Sequence, residues 1–261
     1  MREPKILISI VTYNTNSEVL KECLSKITHI KNIYLSIFDN SKSKDIKNIA
    51  FNLSINYFSS KNIGFGSGHN KNIALFLNKN KGIDYVLILN PDVYMNAQNV
   101  FDLVNSLNRN KKAIILSPLL LNSDNTVQNF IRTFPTFADF LLRFFNFKQV
   151  NFAENIKKIT AVPFAHGACY LLRKHDFLKF MGFDERFFLY CEDLDFCRRV
   201  YESGNIVLVN PDIKVNHLFQ RQSRKSIILF FIHLNSVIKY YIKWYCRFSI
   251  KELNLHFRNL F

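Results

Sequence analysis

Through about residue 120 the chain alternates short, wholly apolar runs with amphipathic segments, and this alternation leaves few folds open to it. Strands are expected at 6–13, 34–38, 55–58, 85–89 and 113–116. Helices are expected between them, capped by Ser17 and running to Ile27, near 43–50, over 70–79, and around Val100, Leu103, Val104 and Leu107. Those last four follow i, i+3, i+4, i+7, one apolar face of a helix. Strands apolar on both faces and separated by helices imply an α/β chain with a mostly parallel central sheet flanked by helices. With 261 residues and 48% apolar composition, the chain is long enough for a large core.

The second half is less regular. "SDNT" at 123–126 reads as a turn. The aromatic stretch 134–147 reads as a helix after Pro135. A strand is expected at 168–172, a helix from Glu192-Asp193 to about Ser203, and short extended pieces at 206–209 and 213–217. Ile227, Phe231, Leu234, Ile238, Tyr241, Ile242 and Tyr245 lie on one side of a long C-terminal helix, 226–247.

Formal net charge is +15, and from Leu218 to Phe261 there are eight Lys/Arg against one acid, Glu252. A basic surface selects anionic partners, but no nucleic-acid reader motif is present, so nucleic acid is not expected. The five cysteines have no paired spacing and read as reduced thiols of a cytoplasmic protein. No apolar run approaches the ~18 residues that span a bilayer.

In open parallel sheets, ligands bind at the carboxyl ends of strands. Here three strands end in polar groups: Thr12-Tyr13-Asn14, Asp39-Asn40-Ser41 and Asn90-Pro91-Asp92. Each is also ordinary turn chemistry, but all project onto one edge. Gly64-Phe65-Gly66-Ser67-Gly68, followed by His69-Asn70 and a helix, can either bring backbone N–H groups to a phosphate or make a tight turn. Neither the dinucleotide fingerprint nor a Walker loop matches it. Glu192, Asp193 and Asp195 crowd the start of a helix. They can cap it with Arg198 and Arg199 as partners, or repel one another and supply a general base, with Phe187, Phe188 and Tyr190 excluding water. His217 closes an extended piece. With Asp92 it could hold Mg²⁺ or Mn²⁺.

These stretches in this order resemble the family-2 inverting glycosyltransferases, especially rhamnosyltransferase-like and galactofuranosyltransferase-like members that build bacterial surface polysaccharides. The likeness rests on "SIVTYN" (9–14), "FDNSKS" (38–43), "NIGFGSGHN" (62–70), "LILNPDV" (87–93), "GACYLLRK" (167–174), "GFDERFFLYCEDLDFCRRV" (182–200), "VNH" (215–217) and "SVIKYYIKW" (236–244).

The resemblance implies a GT-A fold over 1–220, with a nucleotide-binding half (1–120), an acceptor and catalytic half (121–220), and a basic aromatic C-terminal helical appendage (221–261). It implies that Asp39 meets the nucleobase, with Thr12, Tyr13, Asn14 and Asn40 around it. Gly64, Gly66, Gly68, Asn70 and Asn90 border the nucleotide-sugar. Asp92 and His217 hold a divalent cation, and Asp193 is the base with Glu192 beside it. The expected donor is dTDP-rhamnose or a UDP-hexose, and the acceptor a glycan or a polyprenyl-diphosphate-linked sugar. The expected place is the inner face of the bacterial cytoplasmic membrane, where the aromatic-basic segments would meet anionic lipid or build a homodimer.

Two features depart from the pattern: many relatives carry Asp-x-Asp where this chain has Asn-Pro-Asp, and the Gln-x-x-Arg-Trp signature of processive members is missing. A sugar-phosphate nucleotidyltransferase would instead carry a Gly-rich loop with Arg after the first strand, and a non-catalytic relative would not need to keep Asp92, Asp193 and His217.

Overall fold

The computed structural model describes residues 3–136, 151–218 and 226–245. In chain order the strands are β1 (Ile6–Thr12), β2 (Ile33–Asp39), β3 (Asn56–Ser59), β4 (Tyr85–Leu89), β5 (Val93–Tyr94), β6 (Ala113–Leu121), β7 (Ile131–Arg132), β8 (Thr160–Val162), β9 (Phe164–Ala165), β10 (Cys169–Arg173) and β11 (Ile206–His217). The helices are α1 (Ser17–Ser25), α2 (Lys44–Asn52), α3 (Phe65–Lys79), α4 (Ala97–Asn108), α5 (Lys174–Lys179), α6 (Glu192–Glu202) and α7 (Ile227–Tyr245). The expected aromatic helix lies largely outside the described residues, as do Arg221, Arg224, Lys225 and the end of the C-terminal helix; its first residues, Phe134 to Thr136, are not helical.

One nine-stranded sheet runs β3-β2-β1-β4-β10-β6-β11-β5, with β8 on β11. β3, β2, β1 and β4 are parallel, and β11 is parallel to β6. β10 enters antiparallel between β4 and β6. Every residue of β1 and β4 is buried, which is why both read as unbroken apolar runs. α3 lies on β1 and β2, and α4 lies across β6, β10 and β11.

Register decides what the sheet edge presents. Thr12 is opposite Asp39, and Ile10 is opposite Leu89, so the three polar turns leave from one edge as expected. His217, at the end of β11, pairs with Val93 and so comes beside Asp92.

Local chemistry corrects three expectations. Asn16, not Ser17, caps α1, its Oδ1 accepting from the N–H groups of Glu18 and Val19 at 2.9 and 3.3 Å. The extended pieces at 206–217 are one strand with an irregularity between Asn210 and Lys214. α3 begins at Phe65, so the glycine-rich stretch is helix rather than loop. Its glycines are there for close packing: a Cβ at Gly66 would lie 2.7 Å from Phe183 Cβ, and one at Gly68 3.0 Å from the Val11 methyls. Polar groups then fasten α3 to the sheet. Asn72 Nδ2 donates to Ser9 Oγ at 2.8 Å and to the Ser36 carbonyl at 2.9 Å, and Ser9 Oγ meets His69 Nδ1 at 2.9 Å. Burial pushes His69 down to about 3, so it is a neutral part of the core.

The C-terminal helix is welded to the domain. Lys243 Nζ reaches Asp184 Oδ2 at 2.7 Å and Asp195 Oδ1 at 2.6 Å, while Trp244 Nε1 donates to Asp195 Oδ1 and Arg199 Nε to Asp195 Oδ2. Asp195 is therefore an anchor for α7, and of the two arginines read as its helix partners only Arg199 plays that part. Arg198 instead stacks on Phe134, Tyr240, Trp244 and Tyr245. Among the described residues no helix is long and apolar enough to cross a membrane.

Candidate active site

The β1–β2 edge forms one wall. Asp39 is fully buried, and its oxygens accept from Thr12 Oγ1, Ser41 N, Ser41 Oγ, Ser43 N and Tyr57 Oη. Burial pushes its carboxyl up, but the bonds from Ser41, Tyr57 and Ser43 outweigh that and hold it below the usual carboxylate range. The acid expected to meet a nucleobase thus holds the loop together. Tyr13, 56% exposed, is the side chain that offers an open face here, and Asn14 beside it takes a left-handed φ of 48°.

Asn40 carries this wall to the next. Its Nδ2 donates to the Gly64 carbonyl at 3.0 Å, and its Oδ1 accepts from Ile63 N at 3.2 Å. Gly64 has φ +93°, and a Cβ there would lie 2.0 Å from the Phe188 carbonyl oxygen. Only glycine permits that crossing. Asn70, fully buried, clamps the backbone of Phe183 through both N–H and carbonyl and also reaches Glu185. Gly64, Gly66, Gly68 and Asn70 therefore shape the segment leading to α6, and the structure places them in packing rather than along an open loop.

That segment ends with Tyr190 and Cys191 both left-handed, at φ 68° and 64°, before α6 starts without a side-chain cap. Adjacent non-glycine residues in this region store strain. They aim the first turn of α6, where Glu192 and Asp193 sit. Burial, then the charges of Asp193 and Asp195, push Glu192 well above the usual carboxylate range, and its Oε2 is buried with no hydrogen-bond partner. Asp193 differs. Its Oδ2 accepts from Gly167 N at 3.0 Å and its Oδ1 from Leu194 N at 2.8 Å, which fixes the carboxylate and leaves each oxygen a further lone pair.

The β4 edge supplies the third wall. Asp92 Oδ1 stands 3.3 Å from His217 Nε2. Gln128 fixes that ring. Its Nε2 donates to the His217 carbonyl at 2.7 Å, so its Oε1 is the atom 3.0 Å from His217 Nδ1. An amide oxygen only accepts, so Nδ1 carries a proton and Nε2 is the ring atom turned toward Asp92. A carboxylate and an imidazole nitrogen this close can share a cation. Asn90, two residues earlier, keeps a buried Oδ1 with no partner. One carboxylate, one imidazole and one amide oxygen suit Mn²⁺ or Mg²⁺. Among the described residues no group of three His, Cys, Asp or Glu side chains could hold a metal, so further ligands would be solvent or substrate oxygens.

His166 lies beside these groups. Burial pushes its pKa down, Asp193 acts on it upward, and Arg132 and His217 act on it downward. His166, Gly167, Arg132 and Gln128 are site residues that the sequence reading did not single out. Gly167 opens a quoted motif, and a Cβ there would lie 2.9 Å from Asp193 Cβ. Gln128 is 89 residues from its histidine and stands in no motif.

The family model "Glycosyl transferase family 2" matches residues 7–180. Rhamnosyltransferase WbbL of Escherichia coli K12 is 28% identical over 242 residues, covering 88% of this chain and 90% of that protein. The N-acetylglucosaminyl-diphospho-decaprenol L-rhamnosyltransferase of Mycobacterium tuberculosis is 28% identical over 172 residues, 60% of this chain. This chain spans 56% of that protein's length. The crystal structure of GalNAc-T7 with UDP, GalNAc and Mn²⁺ superposes with a TM-score of 0.61 at 13% identity, over 83% of this chain and 44% of that one. This likeness shows the GT-A fold, with its mostly parallel central sheet and flanking helices. A fixed carboxylate and an Asp–His pair held by one ribbon beside such a sheet, together with a family match over most of the chain, lead to one conclusion: the chain belongs to glycosyl transferase family 2 and is a glycosyltransferase.

Proposed function

We propose that the enzyme inverts the anomeric centre as it moves a sugar from a nucleotide-diphosphate donor, dTDP-rhamnose or a UDP-hexose, to a hydroxyl of a lipid-linked or polysaccharide acceptor in bacterial cell-surface glycan synthesis. The observation that carries this reading is that the paired β7–β9 segments reach Asp193 through Gly167 N and, through Gln128, the His217 that stands 3.3 Å from Asp92.

Asp193 takes the proton of the acceptor hydroxyl as the oxygen attacks C1 of the donor sugar from the face opposite the phosphate. The C1–O bond to phosphate breaks, its electron pair leaves on the nucleoside diphosphate, and the proton stays on Asp193. Two backbone N–H bonds hold the carboxylate in place for this. Burial and the neighbouring acids favour the protonated form of Glu192, which makes Asp193 the better proton acceptor of the two. Asp92, His217 and Asn90 would hold a divalent cation, which when bound supplies Lewis-acid neutralisation of the leaving diphosphate. Tyr13 and the Asp39 loop would receive the nucleobase. In this reading 1–120 is the donor half and 121–220 the acceptor half.

A peripheral position on an anionic membrane fits the C-terminal helix, whose first turns expose Ile227, Ile228 and Phe231 at 73, 69 and 59%. The stretch just before it in sequence carries Arg221, Arg224 and Lys225. The same apolar face would also serve a homodimer, and flotation with anionic vesicles against sedimentation without lipid tells the two apart.

A panel of nucleotide-sugars with Mg²⁺ or Mn²⁺, scored by slow donor hydrolysis and by thermal protection, tests the donor reading. One donor should stand out. Equal silence from every nucleotide-sugar, with and without metal, would overturn it.

A further inference from the structure

Gln128, Arg132, His166 and Gly167 belong to one piece of backbone. β7 pairs antiparallel with β9, Arg132 opposite Phe164, and His166 N donates to the Phe130 carbonyl at 2.9 Å. This two-stranded unit touches both ends of the chemistry. Gln128 holds the ring of His217, and Gly167 N holds the carboxylate of Asp193. Between those contacts it carries a permanent cation. Arg132 buries its Nε, and its charge acts on the His166 ring, on which Asp193 and His217 also act.

We infer that Arg132, with His166 beside it, binds the donor's diphosphate and takes up the charge it gains as the sugar leaves. This rests on the donor reading given above. A breaking C1–O bond adds one negative charge to the terminal phosphate, and a guanidinium fork meets two phosphate oxygens at once. The described residues offer a cation one carboxylate and one imidazole, with no third such ligand, so charge compensation by metal alone is thin. A guanidinium on the β7–β9 ribbon beside His166 supplies the remainder and needs no metal to do so.

The test is binding of nucleoside diphosphates against the matching monophosphates (UDP and UMP, dTDP and dTMP, GDP and GMP) to the full chain, by titration calorimetry with chelator and with Mn²⁺. The wild type should prefer one diphosphate over its monophosphate even with chelator. Arg132→Gln should lose about tenfold or more of that preference while monophosphate affinity stays. Arg132→Lys, which keeps the charge and the fold but not the fork, should fall between, and it decides the matter if the Gln variant does not fold. Wild-type preference in both variants overturns the inference while leaving the donor site intact. A wild type that binds none of these nucleotides removes the donor reading, and this inference with it.

Discussion

The backbone N–H of Gly167 donates to Asp193 Oδ2 at 3.0 Å, across a gap that a methyl group would close to 2.9 Å from Asp193 Cβ. Gly167→Ala should therefore displace the proposed base without touching it chemically. A contact that tight is relieved only by shifting Asp193 or the strand. Transfer should fall by about a hundredfold, with donor affinity and melting temperature moved little. Steady-state kinetics beside a thermal melt checks this. Normal turnover would mean that Asp193 is not held where it needs to be by this bond.

Asp193 and Glu192 are adjacent acids in different surroundings, one held by two backbone N–H groups and the other with a buried, unbonded Oε2, and paired amide substitutions separate them. Asp193→Asn removes the proton acceptor and should cost on the order of 100-fold or more in kcat, with donor binding kept. Glu192→Gln mimics the protonated form that burial favours, so kcat should change by less than about threefold. Equal damage from both would show that Glu192 works ionised. The same pair gives a stability signature. Glu192 binds its proton more tightly folded than unfolded, so stability falls as pH rises above its ordinary value of 4.5. In Glu192→Gln that fall should be absent, as pH-dependent denaturant titrations would show.

In the proposed metal site, His217 would offer Nε2 to a cation while Gln128 keeps the proton on Nδ1. Gln128→Leu should free the ring and weaken apparent Mn²⁺ affinity by about 10- to 100-fold, the usual cost of losing such a supporting bond. Asp92→Ala should abolish the metal dependence of donor binding. The measurement is donor titration across a series of metal concentrations. Identical curves with and without chelator for the parent protein would take the metal out of the mechanism.

Lys243 is the counter-charge of two buried acids, Asp184 and Asp195. Lys243→Met leaves Asp184 with Arg186 alone and Asp195 with Arg199 and Trp244, and losing one charged partner of a buried acid costs about 1–3 kcal/mol. The helix bearing it should loosen, visible as hydrogen exchange over 227–245. The pH sign follows from Asp184. Burial pushes its carboxyl up, but Arg186 and Lys243 win and bring it to about 2. Its contribution is complete above the ordinary Asp value near 3.8 and is lost as pH falls from there toward about 2. Lys243→Met should flatten that acid limb, and an unchanged acid midpoint would remove Lys243 from the network.

Most of the scaffold was legible in the chain because burial on both faces writes itself as unbroken apolar runs. Tyr85–Leu89 was bounded to the residue for that reason. α3 was misplaced because glycine signals both loops and close helix packing, and only the neighbours Phe183 and Val11 decide between them. Asp92, Asp193 and His217 stood out through motif and strand end. Gln128, Arg132 and His166 did not, because their importance comes from contacts across distant sequence, and no local pattern encodes those. Asp39 stood out for its charge, yet its five hydrogen bonds turn it inward.

On the proposed mechanism, the short pairing of β7 with β9 is the reaction's reference frame. One end of this ribbon holds the His217 ring beside Asp92 and the other holds the carboxylate proposed to take the proton. Whatever tilts the ribbon would tilt both together. Alignment is thus inherited from a few backbone hydrogen bonds, and a chain that drifted elsewhere in sequence would keep it.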